Sequence, residues 1–118
     1  MLCRARVGMA GEDQMPAYVV VDITNIHDDA MYAQYRSQVS KGLEAAGGRY
    51  LVRGGAVEIL EGEWKPGRLV IVRFESAEGA RHWWASSEYA PLKRLRGAST
   101  RTNMVLVSGV PTESEVGR

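Results

Sequence analysis

Apolar positions both alternate and run together from Ala17 to Thr24. Tyr18, Val20 and Asp22 fall on one side of that segment, and Val19, Val21 and Ile23 on the other, which predicts a strand with two apolar faces. The period then lengthens. Tyr32, Tyr35, Val39, Leu43 and Ala46, with Met31 beside them, recur at steps of three and four, the spacing of one helix stripe. Asp28 or Asp29 suits the start of that helix, where an oxygen can accept from free amides and negative charge meets the positive end of the dipole. Gly47 and Gly48 stop it.

The shorter period returns in Arg49 to Arg53, followed by Gly54-Gly55 and a short run, Val57 to Glu61, predicted as a further strand. Gly62 to Gly67, which holds Trp64 and Pro66, reads as a loop. Arg68 to Glu75 is a strand with an apolar centre, and Ser76 can cap a helix that reaches about Ser86. Pro91 disfavours helix at Ala90, so Ser87 to Arg96 is predicted as a second, broken helical piece. Thr102 to Ser108 is the last strand. The patterned domain spans 16–110, with a flexible extension over 1–15 and a flexible tail over 111–118. Met15 stands just before the pattern and is a second candidate start.

The resulting order is β-α-β-(β)-β-α-β, that of an α+β, ferredoxin-like split-βαβ domain with an antiparallel sheet. Three of its strands are apolar on both faces, yet two helical segments cover only one face of a sheet. The other face would leave Val19, Val21 and Ile23, or their opposites, in water. A contiguous apolar face of that kind marks an interface. Its simplest cover is a second copy of the same sheet, which predicts a twofold homodimer through sheet packing.

Composition narrows the partners. Lys and Arg number 15 against 14 acidic residues, a net charge of +1, so no concentrated basic field offers itself to nucleic acid or to a membrane surface. The central strands also lack the exposed aromatic stack of RNA-binding domains built on this fold. No apolar run approaches the roughly 20 residues of a membrane span. Arg4, Arg6 and Gly8 interrupt any signal-peptide core, and Cys3 is the lone cysteine, so a cytoplasmic, reducing location is the expectation.

Several segments together resemble one family. They are Ala17 to Ile23, Tyr32 with Tyr35-Arg36, Gly47 to Gly55, Glu58, Leu60-Glu61-Gly62, Trp64 to Arg68, and Ser86 to Tyr89. The match runs over about 17–109 and is to the uncharacterised domain of unknown function 1330, within the dimeric α+β barrel superfamily. The resemblance implies a ferredoxin-like homodimer with a cavity between sheet and helices, and a polar pocket near Tyr35. It implies no activity. Other members of the superfamily include cofactor-free monooxygenases, lactone isomerases and chlorite-dismutase-like haem proteins, but a shared fold does not transmit those functions.

Arg53, at a strand end before a glycine pair, is the first candidate for chemistry, because its guanidinium can hold a carboxylate or enolate in a two-pronged fork. Its structural alternatives are an ion pair with a carboxylate such as Asp22 or Glu58, or plain exposure to solvent, and the glycines alone suit a bulge or turn. Gly54-Gly55 is not a phosphate loop, since no helix follows it. Tyr35 is a candidate to orient or protonate an oxygen, and Asp22 a candidate base. Trp84 and Tyr89 are candidates for an apolar ligand wall, while Trp64 is placed to close over a partner subunit. Neighbouring residues on a helix point about 100° apart, so only one of Trp83 and Trp84 faces the sheet. His27 and His82 supply no convergent metal site, and no metal or cofactor is expected.

Two functions remain. The first is a homodimer that binds a small anionic or oxygen-rich organic molecule, with any catalysis cofactor-free and isomerase-, lyase- or monooxygenase-like. The second is a non-catalytic dimeric binding or interaction module. A wet cavity holding Arg53, Tyr35 and an unpaired Asp22 favours the first. A dry core with Arg53 ion-paired outside it favours the second.

Overall fold

Val19, Val21 and Ile23 on one side of the first strand, and Val72 and Phe74 on its neighbour, meet Tyr32, Tyr35, Val39 and Leu43 of the long helix in one buried cluster. The computed structural model describes residues 15–111. Its elements are β1 (Ala17–Ile26), α1 (Asp29–Ala45), β2 (Arg49–Arg53), β3 (Arg68–Phe74), α2 (Ala77–Trp84), α3 (Ala90–Ser99) and β4 (Thr100–Ser108). The four strands form one sheet in the order β2-β3-β1-β4, antiparallel throughout. This is the ferredoxin-like α+β arrangement. The expected extension, apart from Met15, lies outside the described residues, as do Cys3 and the tail beyond Pro111.

The caps follow the sequence. Asp28 Oδ1 accepts from the Met31 amide at 3.0 Å and opens α1. Ser76 Oγ accepts from Gly79 at 3.0 Å and opens α2. Gly47, at φ 96°, turns the chain out of α1. Two expectations fail. Pro91 does not break its helix, because it stands in the first turn of α3, where a missing N–H leaves no intrahelical bond unmade. Val57 to Glu61 forms no strand. Gly54, at φ 75°, turns the chain off the sheet, and Gly55 to Lys65 is exposed at every residue with no ladder to join.

Directly paired residues on adjacent strands share a face. Val52, Ile71, Val20 and Val105 therefore make an apolar row across all four strands, on the face that carries no helix among the described residues. Tyr18 and Val107 extend it. The sequence expected one apolar face to be left open. It is the even-numbered side of β1, while Val19, Val21 and Ile23 are buried under the helices.

Candidate functional site

A single irregularity in β2 builds the site. Tyr50 pairs with Val72, Val52 with Ile71 and Arg53 with Val70, so Leu51 is an extra residue. In an unbroken strand Tyr50 and Val52 would share a face and Arg53 would point away from it. The bulge resets the alternation. Tyr50 and Arg53 now both face the helices, and the Arg53 guanidinium lies 4.4 Å from the centre of the Tyr50 ring.

The topology gathers other residues at the same end of the sheet. Arg68 opens β3 opposite Ile23, and Thr100 opens β4 opposite Ile26. The first turns of α1 and the last of α3 lie above that end. A cavity of about 40 Å³ between sheet and helices is lined there by Arg36, Arg53, Arg68 and Arg96. That is room for about three waters, and Arg36 and Arg53 along its lining are exposed, so a larger ligand extends outward past them. Tyr32, Tyr35 and Tyr50 add aromatic wall, and Val21, Val70 and Met104 an apolar floor. No carboxylate among the described residues lines the cavity. Among the described residues none of the four arginines is ion-paired. The only hydrogen bond of Arg53 among the described residues is a long one, 3.5 Å from Nη2 to the Arg36 carbonyl oxygen.

Behind the arginines runs a short hydrogen-bonded chain. Arg96 Nε donates to the Tyr89 hydroxyl at 3.3 Å, and that hydroxyl meets the Tyr35 hydroxyl at 3.1 Å. Burial pushes the Tyr35 phenol far above the usual tyrosine range, the neighbouring Tyr89 adds to the effect, and Arg96 opposes it. Tyr35 is therefore a neutral hydrogen-bonding group at any ordinary pH.

Residues 16–110 match the family described as Domain of unknown function (DUF1330). The chain belongs to that family. Two solved structures are similar to it. One is the RPA0582 protein of unknown function from Rhodopseudomonas palustris, a structural genomics target, with a TM-score of 0.67 at 13% identity over 91% of this chain and 93% of that one. The other is the methylated RPA0582 protein, with a TM-score of 0.68 at 13% identity over 93% of each chain. At that identity the likeness is one of fold. No curated protein matches the chain.

Within this DUF1330 fold, Arg53 and Tyr35 share the cavity, and the other sequence candidates lie elsewhere. Asp22 is on the helix-free face, 6% exposed. Its Oδ2 accepts from Trp64 Nε1 at 2.9 Å and its Oδ1 from the Gly67 amide at 2.8 Å. Both oxygens are thus engaged in pinning the β2–β3 loop, and Asp22 is not placed as a base for the cavity. A side chain at Gly67 would run into the backbone of Ile23 and Thr24, so this clasp requires glycine. Tyr89 does not line the cavity and sits behind the lining residues Tyr35, Arg96 and Trp83. Trp83 is the inward tryptophan, packed on Phe74 and Tyr89 at ring distances of 5.7 and 4.2 Å. Trp84 lines a neighbouring groove along β4, which shares Val19, Arg96 and Met104 with the cavity, and the Lys93 ammonium lies 3.4 Å from its ring centre. His27 and His82 are both exposed, and no group of three or more His, Cys, Asp or Glu able to hold a metal occurs among the described residues. No helix among them is long and apolar enough to cross a membrane.

Sequence reasoning missed Arg36, Arg68 and Arg96. Arg36 is one residue beyond Tyr35 and Arg68 opens a strand, which are readable positions. Their convergence depends on pairing across the sheet, which no local pattern encodes.

Proposed function

We propose that the protein binds a small organic anion in the arginine cleft, as a homodimer packed through its helix-free sheet faces. The observation that carries the binding reading is the set of four arginines lining one cavity with no carboxylate beside them among the described residues. Unpaired like charges repel, and in a partly desolvated cleft an anion relieves that repulsion. Arginine forks suit carboxylate geometry, and the tyrosines and aliphatic floor suit a carbon skeleton.

The chemistry available is that of a cationic site with a neutral phenol. In the polarity Arg96 to Tyr89 to Tyr35, the Tyr35 hydrogen is free to be donated to a ligand oxygen. Among the described residues the cleft has no carboxylate or imidazole to take a proton, so the reading is one of binding and charge stabilisation rather than base catalysis. Cofactor-free turnover of a bound enolate would draw on the same groups. The dimer rests on the apolar row through Val20 and Ile71 and on the exposed loop beside it, where Leu60 is 89% exposed. A non-catalytic interaction module is the second reading, and that loop is what favours it. The reading keeps the protein in the cytoplasm, without cofactor, nucleic-acid or membrane partners.

A thermal-shift screen of small carboxylates and phenols tests this on the wild type and Arg53→Ala. Stabilisation by carboxylates that disappears in Arg53→Ala is expected. Equal shifts in both proteins, or none in either, would overturn the assignment.

A further inference from the structure

Gly54 and Arg68 form one unit. The Gly54 backbone stands at φ 75°, and a Cβ there would run into the Arg68 Nη1 and Cζ atoms. The guanidinium thus occupies the space that a side chain at position 54 would take. Among the described residues Arg68 Nε is buried without a hydrogen-bond acceptor. Arginine is donor-only and stays charged, so a buried guanidinium N–H with no acceptor is unfavourable unless something else meets it. Arg68 lines the same cavity as Arg53.

The register places Arg53 and Arg68 on one face of adjacent strands. Arg53 pairs with Val70, two residues along β3 from Arg68 and on the same face. Such diagonal neighbours lie about 7–8 Å apart at the backbone, within reach of each other's long side chains. Arg36 and Arg96 close the cavity from the helices. One negative charge leaves most of that positive field uncompensated.

Building on the anion-binding reading above, we propose that the cleft selects a short organic dicarboxylate over a monocarboxylate. One carboxylate sits on Arg53 and the second on Arg68, and the carbon spacer rests on Val21, Val70 and Met104. Arg68 is then the residue that reads the second charge, and Gly54 is glycine to make room for it. Two separate forks, with an aliphatic floor between tyrosines, fit two separated acidic groups better than one compact polyanion.

Isothermal titration of the full chain with malonate and succinate, against propionate and butyrate, tests this, with inorganic phosphate as a further arm. The wild type is expected to bind a dicarboxylate at least about tenfold more tightly than the matched monocarboxylate. Arg68→Gln is expected to remove that preference while leaving monocarboxylate binding, whereas Arg53→Ala weakens both. Equal wild-type affinities for mono- and dicarboxylates would overturn the proposal and leave the anion site standing. Phosphate binding as tight as the best dicarboxylate would overturn the two-fork assignment. Binding of none of these probes would overturn both readings. Should Arg68→Gln fail to fold, the wild-type comparison decides alone.

Discussion

Replacing Asp22 by alanine is expected to destabilise the protein, because the carboxylate is a clasp. It lies 6% exposed and accepts two hydrogen bonds, from Trp64 Nε1 at 2.9 Å and from the Gly67 amide at 2.8 Å. Hydrogen bonds to a charged group contribute about 1.5–3 kcal/mol each. Trp64 is 62% exposed, so its freed N–H can return to water, and no buried donor is stranded. Removing the buried charge also offsets part of the loss. A net cost of about 2–4 kcal/mol follows. At about 4–8 °C per kcal/mol for a domain of this size, the melting temperature should fall by roughly 8–32 °C. Trp64→Phe removes one bond and should give about half the effect. Thermal denaturation followed by circular dichroism measures both, and tryptophan emission reports the release of the loop. An unchanged melting temperature in Asp22→Ala would refute the clasp and return Asp22 to the role of a candidate base.

Three further predictions concern the cleft and the open face. Gly54→Ala should cost about 1–2 kcal/mol from its left-handed backbone alone, and should also weaken anion binding by displacing the Arg68 guanidinium, as denaturation and calorimetry would show. Tyr35→Phe should flatten the alkaline limb of the stability curve. Below pH about 10 the phenol is protonated in both states; above it the unfolded chain ionises first and binds fewer protons, so wild-type stability falls by up to about 1.4 kcal/mol per pH unit from this group. A slope unchanged in the variant, by denaturant titration between pH 9 and 11 or so, would contradict the burial of a neutral Tyr35. Ile71→Lys, in the centre of the apolar row, should convert a dimer to a soluble monomer in light scattering behind size exclusion. A wild type that is monomeric at micromolar concentration would refute the packed-sheet dimer.

The fold was legible because its signals are local and agree with one another. Asp28, Ser76 and Gly47 each stand where a cap or stop is needed, and the apolar stripe of α1 has a clean helical step. The errors fell where a local rule met a tertiary fact. Pro91 reads as a breaker until its place in a first turn is known. Val57 to Glu61 has strand composition, but a strand forms only where a neighbour offers its edge, and Gly54 turns the chain away from β3. The site was half legible. Arg53 was singled out for its position at a strand end, yet it faces the cavity only because Leu51 is bulged, and no pattern in Arg49 to Arg53 announces that. Asp22 looked like a base because a buried carboxylate on a strand invites the idea. Its partners, Trp64 and Gly67, are more than 40 residues away and reach it only when the loop folds back.

The central claim is that the arginine cleft holds an organic anion, and a crystal structure of the protein grown with malonate tests it most directly. The account predicts a carboxylate seated between sheet and α1, with its oxygens about 2.7–2.9 Å from the Arg53 guanidinium and from at least one of Arg36, Arg68 or Arg96. A cleft filled only by water, with malonate at saturating concentration and Arg53 turned to a protein carboxylate, would contradict it.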